Sequence, residues 1–197
     1  MLSFHGLERL SPTDQQLFRT FGQGPHIEPP FSLIHNAFES IADSQPSSPA
    51  VEHDGIIMSY RELEEAANML ANRLITNGLQ PRQRVCMVVQ RSTFMVIAIL
   101  AILKCGCQYV PIDGGVIPEH SLRHIFHDAQ ATFILCLEKF LHKVQKVAHP
   151  ESCVIVLDGA SAIGLDVSSF ATRPKIGVES CDGAYVIYTS GEKFWPQ

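Results

Sequence analysis

Apolar positions in this chain repeat with two alternating periods. Phe31, Ile34, Phe38 and Ile41 fall at helical spacing, and Pro46 with Pro49 ends the run. Ala50 to His53 and Ile56 to Ser59 read as two short strands around Asp54-Gly55, a two-residue hairpin turn. Ser59-Tyr60-Arg61-Glu62 reads as a capping box, in which the Ser59 hydroxyl accepts from the Glu62 backbone N–H and the Glu62 side chain reaches back. Leu63, Ala66, Ala67, Leu70 and Leu74 form the stripe of the helix it starts. Gly78 is placed to end that helix, with Pro81 just beyond.

The alternation then continues. Arg84 to Val89 is a short apolar strand, and Ser92 caps a helix over Thr93 to Lys104 that is apolar nearly all round and so expected to be buried. Gly106 stops it, and Gln108 to Ile112 returns as a strand. A helix over Pro118 to Asp128, a strand over Thr132 to Cys136, a helix over Glu138 to Ala148 and a strand over Cys153 to Leu157 follow. Residues 159–182 read as loop, and Ala184 to Tyr188 as a last strand. Strands alternating with helices predict an α/β fold, a mainly parallel sheet flanked by helices on both faces. Residues 1–29 read as a lead-in linker, broken by Gly22, Gly24, Pro25 and Pro29, with the folded domain over 30–197.

Composition narrows the function. The 197 residues are 46% hydrophobic and 18% charged, with a net charge of −5 and no basic block, which argues against a nucleic-acid partner. Met1 to Leu10 has no apolar core of a signal peptide, and the longest apolar run, Phe94 to Leu103, is too short to span a bilayer. The expectation is a cytoplasmic protein with no membrane partner. Its six cysteines are then expected as buried free thiols. Cys105-Gly106-Cys107 lacks the C-x-x-C spacing. His120, His124 and His127 fit the surface of an amphipathic helix, without the H-E-x-x-H arrangement, and no metal ligand is assigned.

The candidate chemistry lies near the C-terminal end of the sequence. An apolar run, Ala184 to Tyr188, empties into Thr189-Ser190-Gly191. Gly tolerates positive φ, so backbone N–H groups can converge on an anion, and the hydroxyls add donors; such a turn is a natural phosphate cradle. Each candidate also has a purely structural reading. Helix capping alone explains Ser59 to Leu63. A helix stop and strand explain Lys104 to Asp113, packing explains Tyr185 and Tyr188, and Thr-Ser-Gly is a common turn.

Taken together, three segments resemble the core motifs of adenylate-forming enzymes in order and spacing. They are Met58 to Leu63 with Ala67 to Ala71, Leu103 to Asp113, and Asp182 to Gly191. The chain is most similar to adenylation domains of nonribosomal peptide synthetases. Leu10-Ser11-Pro12 and the stretch from Pro30 through Glu39 also resemble the linker and first helix of those domains. The resemblance implies an incomplete N-terminal part of the adenylate-forming fold. It also implies ATP, with Mg²⁺, as the reagent that activates a small carboxylic or amino acid as acyl-AMP. The acyl group then passes to phosphopantetheine on a carrier domain, with carrier and condensation domains as partners. Thr189, Ser190 and Gly191 would contact the β- and γ-phosphates.

The family's phosphate loop continues with further Thr and Gly and a Pro-Lys-Gly, whereas here Glu192-Lys193-Phe194-Trp195 follows. A carboxylate at Glu192 is unfavourable beside phosphates. The pockets for adenine and carboxylate and the mobile catalytic lysine of the family belong to later sequence, so no catalytic residue is assigned and the chain alone is expected to be inactive. The alternatives are a ligase completed by a second polypeptide, a fragment of a free-standing acyl-CoA ligase, and a non-catalytic interaction module.

Overall fold

A computed structural model describes residues 10–22, 24–25, 27–158 and 171–189. The chain divides into two compact units, Met1–Pro30 and Phe31–Gln197. In the first, α1 (Pro12–Phe21) forms where the sequence predicts only a broken lead-in. The reason is local. Ser11 accepts from the Asp14 N–H at 3.1 Å, Pro12 takes the first helical position where its missing N–H is harmless, and Asp14 adds negative charge to the first turn. The glycines and prolines downstream end this helix rather than prevent it. None of its residues is buried.

The second unit contains α2 (Ile34–Ser44), a hairpin of β1 (Pro49–His53) and β2 (Ile56–Ser59), and α3 (Tyr60–Thr76). Asp54 and Gly55 both adopt positive φ, 50° and 77°, as the tight turn between β1 and β2 requires. The capping box is complete: Ser59 Oγ accepts from Glu62 N–H at 3.3 Å, and Glu62 Oε2 accepts from Ser59 N–H at 2.7 Å. The Ser59 N–H first, and then the Ser59 hydroxyl, which donates to Glu62 Oε2 at 2.7 Å, hold the Glu62 carboxyl below its ordinary range.

Then come β3 (Arg84–Val89), α4 (Thr93–Lys104), β4 (Gln108–Asp113), α5 (Glu119–Asp128), β5 (Phe133–Cys136), α6 (Leu141–Val147) and β6 (Cys153–Val156). The expected helix over Glu138 to Ala148 opens instead as a short 3-10 turn, Glu138–Phe140, before α6. The four strands β3 to β6 pair in parallel in the order β4-β3-β5-β6. The chain steps from β3 to β4 in one direction and from β4 across to β5 in the other. Right-handed crossovers therefore place α4 on one face and α5 and α6 on the opposite face. In keeping with this, α4 packs with α2 and α3, and α5 packs with α6.

Both faces of β3 and β5 are covered, so Val85, Met87, Val88, Ile134 and Leu135 lie fully inside the main core. Among the described residues no helix is long and apolar enough to cross a membrane. Cys86, Cys105, Cys107 and Cys136 are buried free thiols and Cys153 is half-buried, but Cys181 is exposed, against expectation. It lies in the turn at residues 180–181, outside the packed helices and strands. Burial pushes the Cys107 and Cys136 thiols up to about 11, which keeps them protonated and unreactive at neutral pH.

Leu135 sits in the middle of the sheet with no exposed surface. Leu135→Ala is expected to cost about 2–5 kcal/mol of stability, read as a lower urea midpoint at unchanged slope.

Candidate functional site

The candidate phosphate loop stands on a stem that joins the outer edge of β4. Tyr109 N–H donates to Ala184 O at 3.1 Å, and Val186 N–H donates to Tyr109 O at 3.0 Å. The pairing is parallel, as an isolated bridge between Tyr109 and Tyr185 rather than the full strand that the β-branched run predicts. Side chains still alternate as in a strand. Val186 and Tyr188 pack against the main core, while Tyr185 and Ile187 are 55% and 58% exposed. Thr189 follows Tyr188 as the first residue of the candidate loop.

Of the predicted phosphate contacts, the structure places Thr189, which is exposed. Ser190 and Gly191 lie outside the described residues, as do Glu192 and Lys193. His120, His124 and His127 all fall on α5. Among the described residues no group of three or more His, Cys, Asp or Glu side chains is placed to hold a metal ion.

The stem is fastened by side chains that sequence reasoning did not single out. Before it, Asp182 accepts from Glu179 N–H at 3.0 Å and from Arg82 Nε at 2.7 Å. These donors, the backbone N–H first, hold its carboxyl below the ordinary range. At its far end the Tyr188 phenol donates to Asp128 Oδ2 at 2.5 Å, at the close of α5. The turn at the carboxyl end of β4 is held closely as well. A side chain at Gly114 would meet the Phe140 ring at 2.5 Å, so glycine is needed there for close approach. Lys143 donates to Gly114 O and Ile117 O and fixes the turn that follows.

Beneath the stem's approach lies a buried ion network. Lys104, at the C-terminal end of α4, is only 3% exposed. Its ammonium donates to Glu39 of α2 and to Glu64 of α3, the latter at 3.1 Å. Arg173 covers the same carboxylate from outside. Its Nε donates to Glu64 Oε1 at 2.7 Å, and its two Nη groups form a fork on Asp43 at 2.8 and 3.0 Å. Burial pushes the Glu64 carboxyl up, but the bonds from Arg173 and Lys104 outweigh it, and Glu64 sits below its ordinary range. The Arg173 segment is further pinned to α3, where Asn68 donates to Ala171 O at 2.9 Å and Asn72 to Thr172 O at 2.8 Å. The network thus joins the helix of the first motif, the helix end of the second and the chain leading to the third.

Residues 38–191 match the family model described as AMP-binding enzyme. The chain is 38% identical over its full length to adenylate-forming reductase 03009 of Coprinopsis cinerea, of which it spans 19%. It is 35% identical over 94% of its length to tyrocidine synthase 2 of Brevibacillus parabrevis, spanning 5% of that protein. Among solved structures, an AMPPNP-bound form of the nonribosomal peptide synthetase FmoA3 superimposes with a TM-score of 0.73 at 25% identity, over 91% of this chain and 18% of that one.

Replacing Lys104 with Met leaves two carboxylates without their buried partner. The expected loss is about 3 kcal/mol at neutral pH in denaturant titrations. Glu64 is depressed in the folded state, so its contribution is present above its ordinary pKa of 4.5 and is lost as pH falls through the folded value. Without Lys104 that depression shrinks. The stability gap between wild type and Lys104→Met is therefore expected to narrow on acidification below pH 4.5.

Proposed function

The chain belongs to the AMP-binding enzyme family, and from that premise we propose that it supplies the phosphate-binding part of a carboxylate-activating site. The observation that carries the reading is the stem. It pairs in parallel with β4 at Tyr109, and Thr189 follows it inside the matched region 38–191, which ends at Gly191. Hydroxyls and backbone N–H groups there meet the β- and γ-phosphates of ATP. A carboxylate oxygen of the substrate attacks the α-phosphorus, the bond from that phosphorus to the bridging oxygen breaks, and acyl-AMP and pyrophosphate result. Donors held in place at the phosphates stabilise the charge that builds on the departing pyrophosphate. Mg²⁺ would lower that charge further when bound, and none of the described residues is assigned to it.

The chain spans about a fifth of the length of the first curated relatives it matches, so the rest of the site comes from sequence outside these 197 residues. In such a whole protein the acyl-adenylate is passed to phosphopantetheine on a carrier domain, as the similarity to peptide synthetases suggests. The likeness to two adenylate-forming reductases of Coprinopsis cinerea favours a second fate. It extends over at least 97% of the chain, and in it the activated acid is reduced rather than condensed.

Titration calorimetry of the 197-residue protein with Mg-ATP is expected to give a dissociation constant in the millimolar range, weakened further by Thr189→Ala. Amino-acid-dependent pyrophosphate exchange should stay at background. Micromolar binding untouched by Thr189→Ala would place the nucleotide elsewhere and refute the loop assignment. Glu192→Thr removes a negative charge beside the phosphates and is expected to tighten binding several-fold.

A further inference from the structure

The stem carries a load that its backbone does not. Among the described residues its backbone bonds to β4 end at Val186, two residues short of Tyr188 and three short of Thr189. The stretch that sets where the turn begins is therefore held by side chains. The ring of Tyr188 packs against the main core, and its hydroxyl donates to the Asp128 carboxylate, a charged acceptor.

Asp128 is the other half of the observation. It is the last residue of α5, where the exposed carbonyls and the helix dipole disfavour a negative charge. A carboxylate there costs the helix stability, and the phenol is the donor that offsets this. Burial, then the bond to Asp128, pushes the Tyr188 phenol up to about 12, so it remains a donor across the whole neutral range. Arg84, the first residue of β3, is the cation near the pair, and it donates to Ala129 O just past the helix end.

We propose that Tyr188 and Asp128 form a latch that positions the phosphate-binding turn, with Tyr188 a positioning residue acting through the adjoining Thr189. The proposal rests on the phosphate-loop reading above for its functional meaning. For its mechanics it needs only the fixed end of α5 and the free end of the stem.

Hydrogen exchange on the 197-residue protein tests it. In Tyr188→Phe, the amides that tie the stem to β4, Tyr109 N–H and Val186 N–H, are expected to exchange about tenfold or more faster, the factor that losing a bond to a charged acceptor implies. Amides of β3 and β5 should keep their wild-type rates. Asp128→Ala should reproduce the effect, and Asp128→Asn, which keeps an acceptor oxygen, should restore part of the protection. The double variant Asp128→Ala with Tyr188→Phe should be no worse than either alone. In ultraviolet resonance Raman spectra, Asp128→Asn should shift the tyrosine doublet away from the signature of a strong donor. Unchanged exchange at Tyr109 and Val186 in Tyr188→Phe overturns the latch. So does an equal acceleration in β3 and β5, which would mark Tyr188 as ordinary core. Pyrophosphate binding measured on the same proteins reads the functional proposal separately: if wild type binds none, that reading falls, while the exchange rates still decide the latch.

Discussion

An ammonium group taken out of water has to be met by opposite charge, and in this fold Lys104 imposes that requirement on everything around it. Glu39 and Glu64 must arrive from two different helices, which fixes how α2 and α3 lie against the end of α4. Their combined charge exceeds that of one lysine. Arg173 supplies the balance, and with it the chain after β6 is drawn back over α3 toward the edge of β4. Apolar packing would tolerate a shift of these helices by a fraction of a turn. A buried carboxylate shared between a lysine and an arginine would not, because any displacement leaves a charge without its partner.

Much of the architecture was legible because its signals are local. The hairpin at Asp54-Gly55, the capping box at Ser59 and Glu62, and the stop at Gly106, whose φ is +66°, each involve residues within a few positions of one another. The parallel α/β class followed from the alternation of periods. Where reading went astray the fault was also local: Ser11-Pro12 with Asp14 is a helix start, and the breakers behind it hid that signal. The last strand was read too long, since a β-branched run describes a preference for extended backbone and says nothing about how many bonds a neighbour will offer.

The supports of the site were illegible for a different reason. Lys104 at the end of an apolar helix already has a sufficient explanation in the helix dipole, so nothing in its surroundings betrays that it is buried. Its partners Glu39, Glu64 and Arg173 lie far apart in sequence, and only the folded chain brings them together. Tyr188 and Asp128 are a similar case: a tyrosine in an apolar run reads as packing, and an aspartate at a helix end reads as surface. The three motifs were recognisable as segments. That one ion network ties them into a single structure was not.

The route of the stem has a consequence for how the chain is made. β3 to β6 and the helices between them form a continuous stretch with short connections, and it can assemble as soon as it has been synthesised. The stem pairs with Tyr109 only after the whole of that stretch, with α5, β5, α6 and β6, has been laid down. Until then the outer edge of β4 is an unsatisfied row of amides and carbonyls on a nascent protein, open to any extended segment that reaches it first. Chaperone demand during translation should therefore centre on that interval, and it should ease when residues 184–186 emerge and take up the amide and carbonyl of Tyr109.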